Sequence, residues 1–275
     1  MKQNRFYLFL ILIGWILFFN DLMMVSGIRS TFAKNSSIEK DTDQDGKIDQ
    51  IAFLDENNKI KRLEIDTNKD GIMDTFQYYQ EESIIRIERD IDFDRQIDSI
   101  DFLLNGKRHK HEKRDKANHV IERIEFDDQE QPLGIQKDTT GNGHFDTCYT
   151  FERGKLISIS KDSNANGKAN ILYLYKNDRP VEQKTDEDED GNFEKIVYYD
   201  AKGMPEKSSH DQDKDGMLDV FRFYENGELL KEEKDTNHDQ KKDMTTLFKD
   251  GKPVEQKKDS NADGMVDVLT RFQHG

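Results

Sequence analysis

Asp211-Gln212-Asp213-Lys214-Asp215-Gly216-Met217-Leu218-Asp219 is the stretch that decides the fold. Oxygen-bearing side chains stand at positions one, three, five and nine, and Gly stands at six. Alternate residues of a tight loop can point their oxygens at one centre, and the Gly permits the sharp turn that wraps the loop around it. A hard cation such as Ca2+ takes roughly six to eight oxygens, and the backbone carbonyl of position seven can add one more.

The pattern begins again at Asp41, Asp66, Asp90, Asp138, Asp162, Asp186, Asp235 and Asp259, at intervals of 24 or 25 residues apart from one of 48. In that wider gap the expected register falls on Arg114 to Glu122, where Arg114 and Lys116 replace the first two ligands and His119 replaces the Gly. It reads as a tenth repeat that kept its spacing and lost its metal. Periods of this length signal a repeat architecture, which takes precedence over every local reading.

The loops differ in ligand quality. Three carry four carboxylates and the Gly: Asp41, Asp43, Asp45 and Asp49 with the Lys47 carbonyl; Asp186, Asp188, Asp190 and Glu194 with that of Asn192; and Asp211, Asp213, Asp215 and Asp219 with that of Met217. Two substitute Asn at position three: Asp66, Asn68, Asp70 and Asp74 with the Ile72 carbonyl, and Asp259, Asn261, Asp263 and Asp267 with that of Met265. Asp90, Asp92, Asp94 and Asp98 keep four acids but have Arg95 where Gly belongs. Asp235, Asn237, Asp239 and Asp243 have Gln240 there. Asp138, Asn142 and Asp146, with Thr140 between, are a poorer set. The loop at Asp162, with Asn164, Asn166 and Asn170, has one carboxylate and reads as an Asn-rich turn.

Composition agrees with cation binding. The 275 residues carry 57 acids against 42 Lys and Arg, for a net charge of -15, and only 33% are hydrophobic. Such a balance leans toward disorder, yet 28 of the acids occupy ligand positions of the nine loops. Seven loops hold three or more carboxylates, so about seven ions, at most nine, would bring the chain near neutrality. Without them the loops repel themselves.

Residues 1 to 27 have the form of a secretory signal: Lys2 and Arg5, then an uncharged apolar run of 14 residues from Phe6 to Phe19. That is the length of a signal core and short for a membrane span. Val25 and Gly27, or Thr31 and Ala33, offer small residues for cleavage. An uncleaved anchor is the alternative, because Leu22 to Val25 prolong the apolar run. Either reading places the rest outside the cytoplasm: secreted, periplasmic or at the cell surface. Membrane contact is then expected only through an uncleaved N-terminal segment. Cys148 is the single cysteine, so disulfides do not hold this fold together, and it does not follow the signal closely enough for lipidation.

After each loop comes a period-two strand, as in Ile51/Phe53, Phe76/Tyr78, Ile100/Phe102, Ile124/Phe126, Leu172/Leu174, Ile196/Tyr198 and Phe221/Phe223. The next residue is often aromatic: Tyr79, Phe151, Tyr175, Tyr199, Tyr224, Phe248 and Phe272. Turns follow at Asn105-Gly106, Asn226-Gly227 and Asp250-Gly251, with weaker signals at Arg153-Gly154 and Lys202-Gly203. Then comes a second strand. Position eight of the loop is mostly apolar (Ile48, Met73, Ile97, Phe145, Phe193, Leu218, Val266) and should pin the loop to the sheet. The fold expected is all-β: tandem hairpins of about 24 residues sharing a strip of core, after a linker and partial strand at 28 to 40. An open curved array is preferred. A five-bladed propeller, with two repeats per blade, is the alternative.

The loops resemble the first nine residues of EF-hand loops and the DxDxDG loops of thrombospondin type 3, dockerin and integrin-type propeller repeats. The twelfth-position Glu of an EF-hand is missing, since Ala52, Gln77, Asp101, Val197 and Arg222 stand there, and hairpin signals replace the flanking helices. The rhythm of Tyr199-Asp200-Ala201-Lys202-Gly203 also resembles the YD hairpin repeats of large bacterial surface proteins. That resemblance implies a secreted or surface-displayed shell.

Lys107, Arg108, His109, Lys110, His111, Glu112, Lys113 and Arg114 form a basic run in an acidic chain. Its cations (Lys107, Arg108, Lys110, Lys113, Arg114) are candidates for binding an anionic glycan, lipid headgroup or nucleic acid, the alternative being a solvated strand. His109 and His111 should share a strand face and could take a transition metal. No nucleophile elbow, phosphate loop or zinc-protease motif occurs. The expectation is a non-enzymatic calcium-binding repeat protein with an extracellular protein or glycan partner and no nucleic acid. A hydrolase or lyase with calcium-stabilised loops, and a calcium sensor or buffer, are the alternatives.

Overall fold

A computed structural model describes residues 36 to 273; the signal or anchor expected over residues 1 to 27 lies outside them. Twenty strands follow one another: β1 (Ser37–Lys40), β2 (Gln50–Leu54), β3 (Ile60–Ile65), β4 (Thr75–Gln80), β5 (Ser83–Arg89), β6 (Ser99–Leu104) and β7 (Lys107–Arg114). The middle holds β8 (Val120–Phe126), β9 (Pro132–Lys137), β10 (Thr147–Glu152), β11 (Lys155–Lys161), β12 (Ile171–Lys176), β13 (Arg179–Thr185) and β14 (Lys195–Tyr199). The chain continues through β15 (Pro205–His210), β16 (Val220–Glu225), β17 (Glu228–Lys234), β18 (Met244–Lys249), β19 (Lys252–Lys258) and β20 (Val268–Arg271). Among the described residues there is no helix.

Each strand pairs antiparallel with the next in the chain, from the first to the last. Among the described residues, no strand approaches any other than these neighbours. The array is therefore one open sheet, a single layer thick and unclosed, as the hairpin-array reading expected. The propeller is ruled out because a blade needs its own sheet and its neighbours packed face to face. In such a meander alternate connections emerge at the same rim. All nine acidic loops lie along one rim, and the short turns line the other.

The turn rim is built from backbone chirality. Glu81-Glu82, Asn105-Gly106, Arg153-Gly154, Asn177-Asp178, Asn226-Gly227 and Asp250-Gly251 each place both residues at positive φ, the two-residue turn whose twist matches that of the strands. The other three connections are five-residue turns opened by Asp55, Asp127 and Asp200. In each, the Asp Oδ1 accepts the N–H groups two and four residues on. Lys202-Gly203 thus belongs to a longer turn than a two-residue hairpin. A register shift follows each turn at this rim, leaving one bulged residue per hairpin.

The degenerate repeat departs from expectation. Arg114 ends β7, Glu122 lies within β8, and the connection is the same five-residue turn, with Asp115 Oδ1 accepting the N–H groups of Ala117 and His119 at 2.9 and 2.8 Å. The shorter turn slips the register by one, and with period two this flips the strand. Arg123 and Glu125 take the face on which the other repeats put Ile100/Phe102 or Phe221/Phe223. Ile124 instead joins Ile135 and Tyr149 on the opposite face.

A continuous apolar core, expected from the alternation, is not what holds the layer. Among the described residues only Ala52, Ile65, Ile100 and Val220 are buried hydrophobic side chains. On one face aromatic and cationic residues alternate strand by strand in register: Phe53, Arg62, Tyr78, Arg86, Phe102, Lys110, and again Tyr198, Lys207, Phe223, Lys231. Arg86 lies 4.0 Å from the Tyr78 ring centre, Lys110 3.8 Å from that of Phe102 and Lys231 4.2 Å from that of Phe223. The cations then meet acids on their own strands: Arg86–Glu88 at 3.2 Å, Lys110–Glu112 at 3.2 Å and Lys231–Glu233 at 2.8 Å. Aliphatic stems of Lys and Arg cover the rings while the charged heads stay wet. This covering substitutes for a second layer.

Candidate metal centres

The nine loops share one hydrogen-bond scheme. Position one accepts the N–H of position six through Oδ2 in every loop, from Gly46 on Asp41 at 2.8 Å to Gly264 on Asp259 at 2.7 Å. Position five accepts the N–H of position seven, as in Lys47 on Asp45, Ile72 on Asp70, Asn192 on Asp190, Met217 on Asp215 and Met265 on Asp263. Position nine reaches back to the N–H of position two, as from Thr42 to Asp49, Thr67 to Asp74, Thr139 to Asp146 and Gln212 to Asp219. Thr at position two adds its hydroxyl: Thr42, Thr67, Thr139 and Thr236 donate to Asp49, Asp74, Asp146 and Asp243. The repeated Asp-Thr pair was the signal for this contact, and the sequence reading missed it.

Two residues per loop are left-handed. Position six is Gly in seven loops (φ 85 to 100), but Arg95 at φ 75 and Gln240 at φ 67 take the same bend without it. Position four is left-handed as well: Gln44, Lys69, Phe93, Gly141, Ala165, Glu189, Lys214, His238 and Ala262. A non-Gly residue there is strained by roughly 1–2 kcal/mol. Nothing in the sequence marks position four, because only Gly141 is a residue at ease with that backbone.

The scheme engages part of each carboxylate and leaves the rest to converge. Acidic oxygens come within 4.8 Å of one another in the sets Asp41, Asp43, Asp49; Asp90, Asp92, Asp98; Asp186, Asp188, Asp190, Glu194; and Asp211, Asp213, Asp215. Many of the position-one and position-nine acids are buried, with Asp66 3% and Asp74 2% exposed, while Asp41 and Asp98 are half-buried and Asp267 is exposed. Asp219, Asp235 and Asp259 each keep a buried Oδ1 with no hydrogen-bond partner. Burying a carboxylate oxygen without a donor costs several kcal/mol, which a cation offsets. These clusters can hold metal ions.

The loops also hold each other. The N–H of position one donates to the position-nine carbonyl of the preceding loop: Asp66 to Asp49 at 2.8 Å, Asp90 to Asp74 at 2.8 Å, Asp235 to Asp219 at 2.9 Å and Asp259 to Asp243 at 2.9 Å. Position four meanwhile reaches position three of the preceding loop, as Lys69 Nζ does Asp43 at 2.5 Å, Lys214 Nζ Asp188 at 3.4 Å and His238 Nδ1 Asp213 at 3.0 Å. The hydrogen bond from Lys69 holds the Asp43 carboxyl below its ordinary range. Lys116, from the five-residue turn, bonds Asp94 at 3.1 Å in the same manner and depresses its pKa. In the poorest loop, Asn164 and Asn166 hydrogen-bond Glu189 of the next loop. Position eight packs onto the preceding hairpin where it can: Phe145 sits under Arg123, and Lys242 lies 4.3 Å from the Phe221 ring centre. Leu218 and Val266, 36% and 56% exposed, do not pin their loops as expected.

The basic strand distributes its charges over both faces. Lys110 and Arg114 reach buried Glu112, at 3.2 and 3.4 Å. Arg108 stacks on Phe126, 3.7 Å from Asp101, and the Lys107 ammonium donates to the Asp128 carbonyl. Lys113 is exposed beside Ser99 and Glu122. The histidines do not share a face: the bulge turns His109 toward Phe102, with ring centres 6.5 Å apart, while His111 Nδ1 bonds Asp101 at 2.8 Å. Asp101 also receives Arg89 at 2.6 Å. Its burial would raise its pKa, but the hydrogen bonds from His111 and Arg89 win and lower it to about 2. Cys148 is half-buried on β10, and burial pushes its thiol up.

No family model matches the sequence, and neither does any curated protein. The structure is similar to that of S. aureus TarM in complex with fondaparinux, α-GlcNAc-glycerol and UDP, at 14% identity over 45% of this chain and 21% of that one, with a TM-score of 0.29. A second TarM crystal structure matches over the same shares at 14% identity and a TM-score of 0.28. A TcdB2-TccC3-Cdc42 complex matches 86% of this chain and 14% of that one, at 10% identity and a TM-score of 0.23. The chain thus spans about a fifth of the TarM chains, and likenesses this weak carry no argument about what it does.

Proposed function

We propose that the chain is a secreted or surface-anchored calcium-binding repeat protein without enzymatic activity, whose ions are structural. The observation that carries this reading is the line of acidic loops along one rim, each folded by the same carboxylate-to-amide scheme and linked to the next through its backbone. All-oxygen donors and mixed carboxylate and carbonyl ligands suit Ca2+ better than Mg2+, which demands a tighter octahedron. Each ion would neutralise a self-repelling loop and fix one hairpin against its neighbour. About seven loops carry enough acid to take an ion, with affinities on the order of 10^-4 to 10^-3 M, those of extracellular modules. The signal-like N-terminus supports an extracytoplasmic address, and the two long faces of the sheet would then hold an extracellular protein or glycan.

Calorimetric titration of the full chain in mild detergent tests the ion. Calcium heats fitting about seven sites, with magnesium at least about tenfold weaker, are expected. Equal binding of both ions at every loop would contradict structural calcium.

A further inference from the structure

One rim junction differs from the rest. His238 stands at position four of the loop opened by Asp235, left-handed at φ 61, and its ring turns back over the preceding loop. One ring nitrogen of His238 and one carboxylate oxygen each of Asp213 and Asp219 lie within 4.8 Å of one another. The closest pair is His238 Nδ1 and Asp213 Oδ2, at 3.0 Å.

Two further observations point to a ligand at this junction. Asp219 is 6% exposed and Asp235 is 8% exposed, and each keeps a buried Oδ1 that meets no donor. Both residues and His238 line a single pocket of about 320 Å³ between the two loops, together with Phe221 and Lys242. The Lys242 ammonium does not serve the orphan oxygens. It is committed to Glu233 at 3.1 Å and to the Phe221 ring. Two buried carboxylate oxygens of this pocket thus meet no donor, and an imidazole lines the same pocket.

We propose that Asp213, Asp219 and His238 form a site for a borderline divalent transition ion of the zinc class, with Asp235 beside it. Calcium takes oxygen donors, whereas an imidazole with carboxylates is a donor set that suits Zn2+, Ni2+ or Co2+. Three protein ligands leave part of the coordination sphere open to the pocket. The site joins two successive hairpins through an imidazole at position four, where Lys69–Asp43 and Lys214–Asp188 join theirs through an ammonium. It shares Asp213 and Asp219 with the oxygen loop opened by Asp211, so zinc and calcium compete there. The proposal does not require the calcium reading of the other loops.

Zinc is titrated calorimetrically into the full chain in mild detergent at a fixed calcium concentration that keeps the array folded, beside His238→Asn, since Asn tolerates the left-handed backbone. Loss of the tightest zinc site, by about tenfold or more, with the far-UV spectrum unchanged, is expected. One equivalent of paramagnetic Co2+ should broaden the imidazole resonances of one of the seven histidines first, and that signal should vanish in His238→Asn. Unaltered zinc affinity in the variant would overturn the proposal, as would first broadening at another histidine or at none. A chain that binds zinc through His238 but ignores calcium would leave this site standing and refute the structural-calcium reading instead.

Discussion

At the residue scale the loops rest on backbone that few residues adopt willingly. Gly46 has φ +94, and an added Cβ would meet no atom within 4 Å. The cost of Gly46→Ala is then backbone strain alone, roughly 1–2 kcal/mol, seen as a lower urea midpoint and weaker cation binding at the first loop. Phe93 is the converse, an exposed aromatic at φ 62; Phe93→Gly should raise stability by about 1 kcal/mol. Position six was legible because Gly repeats there. Position four was not, because Lys, Phe, Ala, Glu and His give no hint of a left-handed bend. Asp101 tests the charged layer. Its folded pKa of about 2 lies below the ordinary 3.8, so its stabilisation is complete above the ordinary value and disappears as pH falls through about 2. Asp101→Asn should cost on the order of 2 kcal/mol at pH 7, and melts of both proteins should converge near pH 2.

At the element scale the hairpins were readable wherever the turn chemistry was explicit. Asn105-Gly106, Asn226-Gly227 and Asp250-Gly251 form the turns their residues demand, as does Arg153-Gly154. Glu81-Glu82 occupies the same conformation with neither Gly nor Asn, at φ 48 and 67, and only the repeat period could have placed it. Replacing the pair by Asn-Gly should stabilise the chain by about 1 kcal/mol, read from the thermal midpoint. The flip of β8 was hidden for a different reason. Arg114 to Glu122 keeps the length of an acidic loop, but Asp115 closes a five-residue turn inside it, and length alone does not report where a turn closes. Backbone bonds between successive loops also predict coupling. Asp219→Asn should weaken cation binding in its own loop and also in that opened by Asp235, whose N–H donates to the Asp219 carbonyl. Calorimetry on loops one and two junctions away sets the range of that effect.

At the scale of the whole molecule, the described residues form one layer of 20 strands in which each contacts only its neighbours. Stability in such a chain is a sum of repeat and nearest-neighbour terms. The open hairpin array was legible from period, alternation and turns. Its lack of an apolar core was not, because alternation shows which residues share a face but not what covers them. Here that cover is supplied by Lys and Arg stems laid over aromatic rings, as Arg86 is over Tyr78. With little apolar burial to oppose it, the acidic rim becomes the decisive term. Half of the chain's acids lie in nine loops along one edge, and their repulsion is felt whenever they are empty. The most direct measurement is far-UV circular dichroism of the full chain during calcium titration from chelator, with bound ions counted by calorimetry. A cooperative gain of β structure as about seven ions bind is the predicted result. A spectrum and melting temperature indifferent to calcium would contradict it and reduce the loops to polar turns.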